Sequence, residues 1–286
     1  MVKMKEVQVK AKEIEEKYNM TYYEVLQRFM FERILERISV SKYKDNFILK
    51  GGLLLSAMFG IDNRTTKDMD TLIKGIDISS DNIVDVLNEI LSIDLKDDVK
   101  FSIARVTDIR GEDEYGGNKY YIVGRLENLR VNLEIDVSTG DKITPRELKY
   151  GYPSLFDDSK ILISVYTIET IIAEKLETIL RRGTFNSRMK DYYDVYIFYN
   201  KMRNVFDIQL FKKAIYNTFE KRDSIEYLND YEEILENISN SERVKKIWNK
   251  YVSRNKYVDD VDFEVVINDI KDLFDLLDLS KNYITE

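Results

Sequence analysis

Phe47-Ile48-Leu49-Lys50-Gly51-Gly52 followed by Leu53-Leu54-Leu55, and then Arg64-Thr65-Thr66-Lys67-Asp68-Met69-Asp70, is the densest chemical signal in this chain. A short apolar strand stops at two glycines, and an apolar helix-like run from Leu53 to Phe59 follows at once. Glycines between strand and helix let a phosphate approach backbone N–H groups at a helix N-terminus. Two acids at i and i+2 on a strand point to one face, about 7 Å apart, a spacing that suits a shared divalent cation. Together they are equipment for phosphoryl or nucleotidyl transfer.

A third acid lies on Val131-Asn132-Leu133-Glu134-Ile135-Asp136-Val137. Strict alternation puts the apolar residues on one face and Asn132, Glu134 and Asp136 on the other. Beside the Asp68/Asp70 strand, Asp136 would complete a three-carboxylate metal site, with Glu134 as the competing ligand. Two metals held in this way activate an attacking hydroxyl and neutralise a leaving pyrophosphate.

Composition narrows the chemistry. The 286 residues allow one or two domains, and 44% hydrophobic with 34% charged residues describes a globular protein. There is no cysteine and no histidine, which removes disulfides, thiol nucleophiles, His-based triads and His-ligated zinc. Oxygen ligands remain, and they select hard ions such as Mg2+ or Mn2+. No signal core or membrane span is legible, and the expected location is cytoplasmic. A net charge of −8 argues against a long nucleic-acid track and confines any RNA contact to a local basic patch. The residues considered for it are Lys149, Lys160, Arg181, Arg182, Arg188 and Lys190.

Helical spacing runs through residues 5 to 40, and a helix capped by Ser79 or Ser80 is expected through Ile93. Phe101–Asp108 reads as a strand, 111–117 as a polar loop, and Tyr120–Leu126 with Leu129–Val137 as a hairpin. Both prolines, Pro145 and Pro153, fall in one window and suggest a boundary. The expected domains are 1–155, α/β with N-terminal helices, and 156–286, helical. The later helices are read at Ile168–Leu180, Met189–Tyr199, Phe206–Phe219, Val244–Tyr251 and Phe263–Leu277.

In the first of these helices Lys175 falls inside the apolar arc of Ile168, Ile171, Ile172, Leu176, Ile179 and Leu180, whereas Glu174 and Glu177 fall outside it. A lysine there must snorkel or find an anion, and a nucleotide triphosphate is one such anion. Asp191 shares a face with Val195 and Phe198. It would pair with a cation, for which Lys175 is the candidate, or act as a general base. Tyr115, Tyr120, Tyr121, Tyr192, Tyr193 and Tyr196 could stack a base.

These residues resemble a family. Lys50-Gly51-Gly52, Arg64-x-Thr66-x-Asp68-x-Asp70, Asp136 with Gly140-Asp141, Glu174-Lys175-Leu176, and Arg188-x-Lys190-Asp191-x-x-Asp194 are similar to the AbiEii nucleotidyltransferase-like toxins of AbiE abortive-infection toxin–antitoxin systems. The resemblance implies a DNA-polymerase-β-like nucleotidyltransferase fold, a mixed α/β (α+β) sheet core with a C-terminal helical domain. It implies Mg2+ or Mn2+, an NTP (GTP for AbiEii-type members), transfer to tRNA that blocks phage-infected translation, and a winged-helix antitoxin encoded alongside. Residue by residue, Gly51 and Gly52 match the phosphate motif, Asp68 and Asp70 the metal pair, and Asp136 the third acid. Lys175 matches the nucleotide-binding lysine and Asp191, or Asp194, the last motif's acid. Lys50, Arg64, Thr66, Arg188 and Lys190 join the nucleotide-binding set. Two departures stand out: Gly-Gly replaces the superfamily's frequent Gly-Ser, and Glu134 replaces a frequent basic or amide residue. Other uses of the same residues are a GTP- or NTP-binding interaction module and a metal-dependent nuclease, although a nuclease has no triphosphate for the glycines to hold.

Overall fold

The structure, a computed structural model, describes residues 4–18, 20–62, 64, 66–76, 80–108, 117–202, 206–258 and 260–277. The chain divides into two compact units, Met1–Asp141 with Glu147–Tyr166, and Lys142–Arg146 with Thr167–Glu286. The first unit runs on to Tyr166 because a strand over Lys160–Val165 belongs to its sheet.

That sheet has seven strands: β1 (Phe47–Lys50), β2 (Asp68–Ile73), β3 (Lys100–Asp108), β4 (Gly117–Leu126), β5 (Leu129–Thr139), β6 (Leu148–Pro153) and β7 (Lys160–Val165). Their order is β3-β4-β5-β2-β1-β7-β6. The pairs β2–β5 and β1–β7 are parallel and the others antiparallel, so the sheet is mixed. The expected hairpin is β4–β5, closed by Leu126 opposite Leu129. Val131, Leu133, Ile135 and Val137 are all buried, and the residues between them are exposed or half-buried.

β6 and β7 escape the sequence reading. Gly151 and Pro153 hide β6, but both are tolerated there because β6 is an edge strand. The loop expected over 111–117 lies outside the described residues except for Gly117, which opens β4, and Tyr115 lies outside them too.

Among the described residues four helices belong to this unit: α1 (Met4–Tyr18), α2 (Tyr22–Val40), α3 (Gly51–Phe59) and α4 (Ser80–Leu91). The Thr21/Glu24 capping box starts α2. Its buried Arg37 grips Asp97 through two hydrogen bonds of 2.8 Å, which turns a charge on a buried helix face into a fixed clamp. In α4, Ile83, Val86, Leu87, Ile90 and Leu91 form the buried stripe; Ser79 and the side chain of Ser80 lie outside the described residues.

The second unit is helical: α5 (Ile168–Arg182), α6 (Met189–Met202), α7 (Ile208–Lys221), α8 (Tyr231–Ser239), α9 (Glu242–Arg254) and α10 (Phe263–Leu277). Helix α8 was not legible because Glu232, Glu233 and Glu236 dilute its apolar pattern. An aromatic cluster centres on buried Trp248, with Tyr192 and Trp248 each 5.5 Å from the Phe263 ring. Tyr192 and Tyr193 are thereby core residues, which leaves neither ring free to stack a base. Glu177, expected on the outer face, is fully buried because Arg222 at the end of α7 and Arg181 each reach it at 2.7 Å.

Candidate active site

The parallel pairing of β2 with β5 sets the site. Asp68 stands opposite Glu134 and Asp70 opposite Asp136. Directly opposed residues share a face, so four carboxylates project from one side of the sheet. One oxygen each of Asp68, Asp70 and Asp136 lies within 4.8 Å of the others. Three hard oxygen donors at that separation fit a divalent cation such as Mg2+ or Mn2+. Glu134 faces the same way but leans to Lys119, 2.9 Å away.

Lys119, on β4, escaped the sequence reading. Counting back along the hairpin from Leu126 and Leu129 places it opposite Asp136, so the register contained the signal. Its ammonium lies 3.3 Å from Asp136 Oδ1. Burial works against that charge, yet Glu134 and Asp136 hold the ammonium above the usual lysine range. For Asp136, burial first and the Asp70 charge second push the carboxyl up to about 6, against the pull of Lys119. Crowded carboxylates that resist ionisation gain most from a bound cation.

Gly51 and Gly52 form the first turn of α3 itself. Gly51 has φ +68°, and a Cβ there would meet Asp70 Oδ2 at 1.9 Å. A Cβ on Gly52 would meet Thr66 Oγ1 at 2.6 Å and Arg64 Nη2 at 3.1 Å. The room made by the glycines therefore admits Asp70, Thr66 and buried Arg64 to the start of the helix. Lys50, the residue before α3, makes no side-chain capping hydrogen bond, and a helix N-terminus offers its first N–H groups to an anion. Thr66 Oγ1 also donates to Asp68 Oδ1 at 2.5 Å. Lys50 turns away to Asp141 Oδ2 at 2.5 Å, a carboxylate that also accepts from Tyr166 and Ser138.

The remaining site candidates belong to the second unit. Lys175 Nζ lies 2.8 Å from both Asp191 Oδ1 and Asp194 Oδ2, and Arg188 Nε is 2.7 Å from Asp191 Oδ2. Burial opposes these charges, but the partners win: Lys175 is raised and Asp191 is held well below the usual carboxylate range. Both acids take part, so neither stands out as the single key acid. Lys190 follows Arg188 in the first turn of α6, half-buried.

The sequence profile described as "Nucleotidyl transferase AbiEii toxin, Type IV TA system" matches residues 33–269. Two crystal structures from Helicobacter pylori share the fold. A candidate nucleotidyltransferase has 13% identity and a TM-score of 0.51, covering 90% of this chain and 96% of its own. JHP933 has 12% identity and a TM-score of 0.50, covering 90% and 93%. No curated protein matches the chain. No helix among the described residues is long and apolar enough to cross a membrane. At 12–13% identity these structures speak only for the fold, whereas the profile spans the sheet, its acids and most of the helical unit: the chain belongs to the AbiEii nucleotidyl transferase toxin family of type IV toxin–antitoxin systems.

Proposed function

We propose that this protein transfers a nucleoside monophosphate from an NTP, with GTP as the first candidate, to a tRNA acceptor. Translation then stops, as an abortive-infection response to phage in the cytoplasm. A winged-helix antitoxin would restrain it, with or without direct contact. The observation that carries the reading is the convergence of Asp68, Asp70 and Asp136 at the start of α3.

In this reading those three acids hold Mg2+ or Mn2+, which when bound acidifies the attacking hydroxyl and offsets charge on the departing pyrophosphate. Arg64 and the first N–H groups of α3 orient the triphosphate. Lys119 keeps Asp136 ionised and in place. Thr66 fixes the rotamer of Asp68. Lys50 with Asp141, and the Lys175 cluster with Arg188 and Lys190, support the nucleotide-binding elements.

Incubation of the protein with each labelled NTP, Mg2+ and total tRNA, followed by mass analysis of the tRNA, tests this directly. The expected product is tRNA extended at its 3′ end. Asp68→Ala should lose at least ~100-fold in rate, since metal-based charge stabilisation is worth several kcal/mol. Shortened RNA would favour a nuclease, and nucleotide binding without RNA labelling would favour an interaction module.

A further inference from the structure

The outer face of β3, β4 and β5 continues away from the acids with a charge pattern of its own. Beyond Lys119 and Asp136 come Tyr121 opposite Glu134, Val123 opposite Asn132, and Arg125 opposite Arg130. On the far side of β4, Lys100 stands opposite Arg125, and Arg105 opposite Tyr121. Three cations, Lys100, Arg125 and Arg130, thus form one row across three strands. Like charges placed directly opposite one another destabilise a sheet. All three are exposed, and no acid among the described residues pairs with them. The nearby Arg105 guanidinium lies over the Tyr121 ring at 4.0 Å, which adds a cation to the same face and fixes its position.

Folding alone gives no reason for this row, because isolated cations cost it repulsion without a partner. A polyanion supplies one. A cleft of about 610 Å3 starts at Asp68 and Glu134 and runs over Tyr121, Val123 and Asn132 to Arg130. Arg130 of the row and Asp68 and Glu134 of the acid cluster therefore line one cleft. The six residue steps from Asp136 to Arg130 span about 20 Å. In a chain of net charge −8, such a row localises a contact that the rest of the surface repels.

We propose that this sheet face is the track for the acceptor RNA. Its phosphodiester backbone crosses Lys100, Arg125 and Arg130, and its 3′ end reaches Asp68, Asp70 and Asp136. The inference rests on the transfer reading of those acids. It also relocates the basic patch, which the sequence suggested at residues 149–190.

Fluorescence anisotropy of fluorescein-labelled total tRNA, without NTP and across a salt series, tests it. The variants are the triple Lys100→Gln/Arg125→Gln/Arg130→Gln and the single Arg125→Glu. The triple variant should bind at least tenfold more weakly. Its slope of log K against log salt should flatten by about two, the loss expected for three phosphate contacts. Arg125→Glu, which sets an anion between two cations, should weaken binding while raising the thermal midpoint. Unchanged affinity in both variants, or a wild-type protein that binds no tRNA, overturns the track. So does equal displacement of tRNA by polyglutamate, which would assign the face to an acidic protein. If the triple variant is labelled-tRNA competent at the wild-type rate, the track falls and transfer stands. If the row binds tRNA but no nucleotide is transferred, transfer falls and the binding face stands.

Discussion

In the first unit three aspartates converge and one lysine reaches Asp136 and the neighbouring Glu134; in the second a single lysine lies between two aspartates, with an arginine closing the second oxygen of one. The residue types are the same and the electrostatics are opposite. Asp136 is pushed up by burial first and by the Asp70 charge second, and Lys119 offsets only part of this. Asp191 is held low because two cations answer it. An undercompensated cluster is built for an added cation, while a compensated and buried one holds a fold together. The difference separates a cluster that favours an added cation from one whose charges are already answered by its own lysine and arginine, although both look alike as motifs.

Removing a carboxylate from each cluster should break the symmetry most visibly. Asp191→Ala leaves Lys175, whose side chain is 11% exposed, with Asp194 as its remaining carboxylate in this cluster and takes the acid from Arg188; the loss of a partner from a buried ion pair costs about 3–5 kcal/mol. Against a total stability of about 5–15 kcal/mol for a domain, that threatens the whole helical unit. Asp136→Asn removes a charge that its surroundings resist, and should stay within about 1 kcal/mol of wild type in urea unfolding. Equal stabilities for the two variants would dissolve the distinction. Where Asp191→Ala is the less stable variant, its activity is to be compared per folded molecule before a proton-acceptor role is assigned to Asp191.

A smaller contrast uses two glycines. Gly51→Ala combines φ +68° with a Cβ at 1.9 Å from Asp70 Oδ2, so either α3 or the acid must move. The backbone strain alone is worth about 1–3 kcal/mol, and the displaced acid should lower Mn2+ affinity as read by calorimetry. Gly183→Ala, at φ +48° with nothing within 4 Å, carries backbone strain only, about 1–2 kcal/mol. It should leave Mn2+ affinity alone. Matching Mn2+ losses in both would show that Gly51 serves the backbone and not the acid.

Much of this site was legible because it rests on period-two alternation. Asp68, Asp70 and Asp136 each sit on a strand where the pattern alone fixes the face. Lys119 was equally derivable from the hairpin register, but no local feature drew attention to it. Arg125 and Arg130 meet through that same hairpin register, whereas Lys100 joins them only because β3 pairs with β4. The buried state of Glu177 likewise depends on Arg222, which arrives from another helix 45 residues away. Period and spacing report what one element shows to its neighbours, and they are silent on which neighbour comes. The glycines illustrate the same limit: their presence at a helix start was plain, but the side chains that fill their space were not.

The finest discriminator between the clusters is pH. Asp136, with a folded value of about 6 against about 3.9 unfolded, is raised, so without metal its charge costs stability as pH climbs from about 4 to about 6 and costs nothing further above that. A divalent cation reverses the preference and must displace the proton below pH 6. Mn2+ affinity should therefore be flat above pH 7 and fall toward about tenfold per unit on the acid side, where binding releases one proton. Asp191 is shifted the other way: its contribution is complete above about pH 3.9 and is lost only as pH drops below it. Unfolding of the helical unit should thus show no step between pH 5 and 8 from this cluster. Calorimetric titration of Mn2+ at half-unit intervals over that range reads the first behaviour, and Asp136→Asn should erase its acid limb. A limb that persists in Asp136→Asn would place the displaced proton on another acid of the cluster and take that role from Asp136.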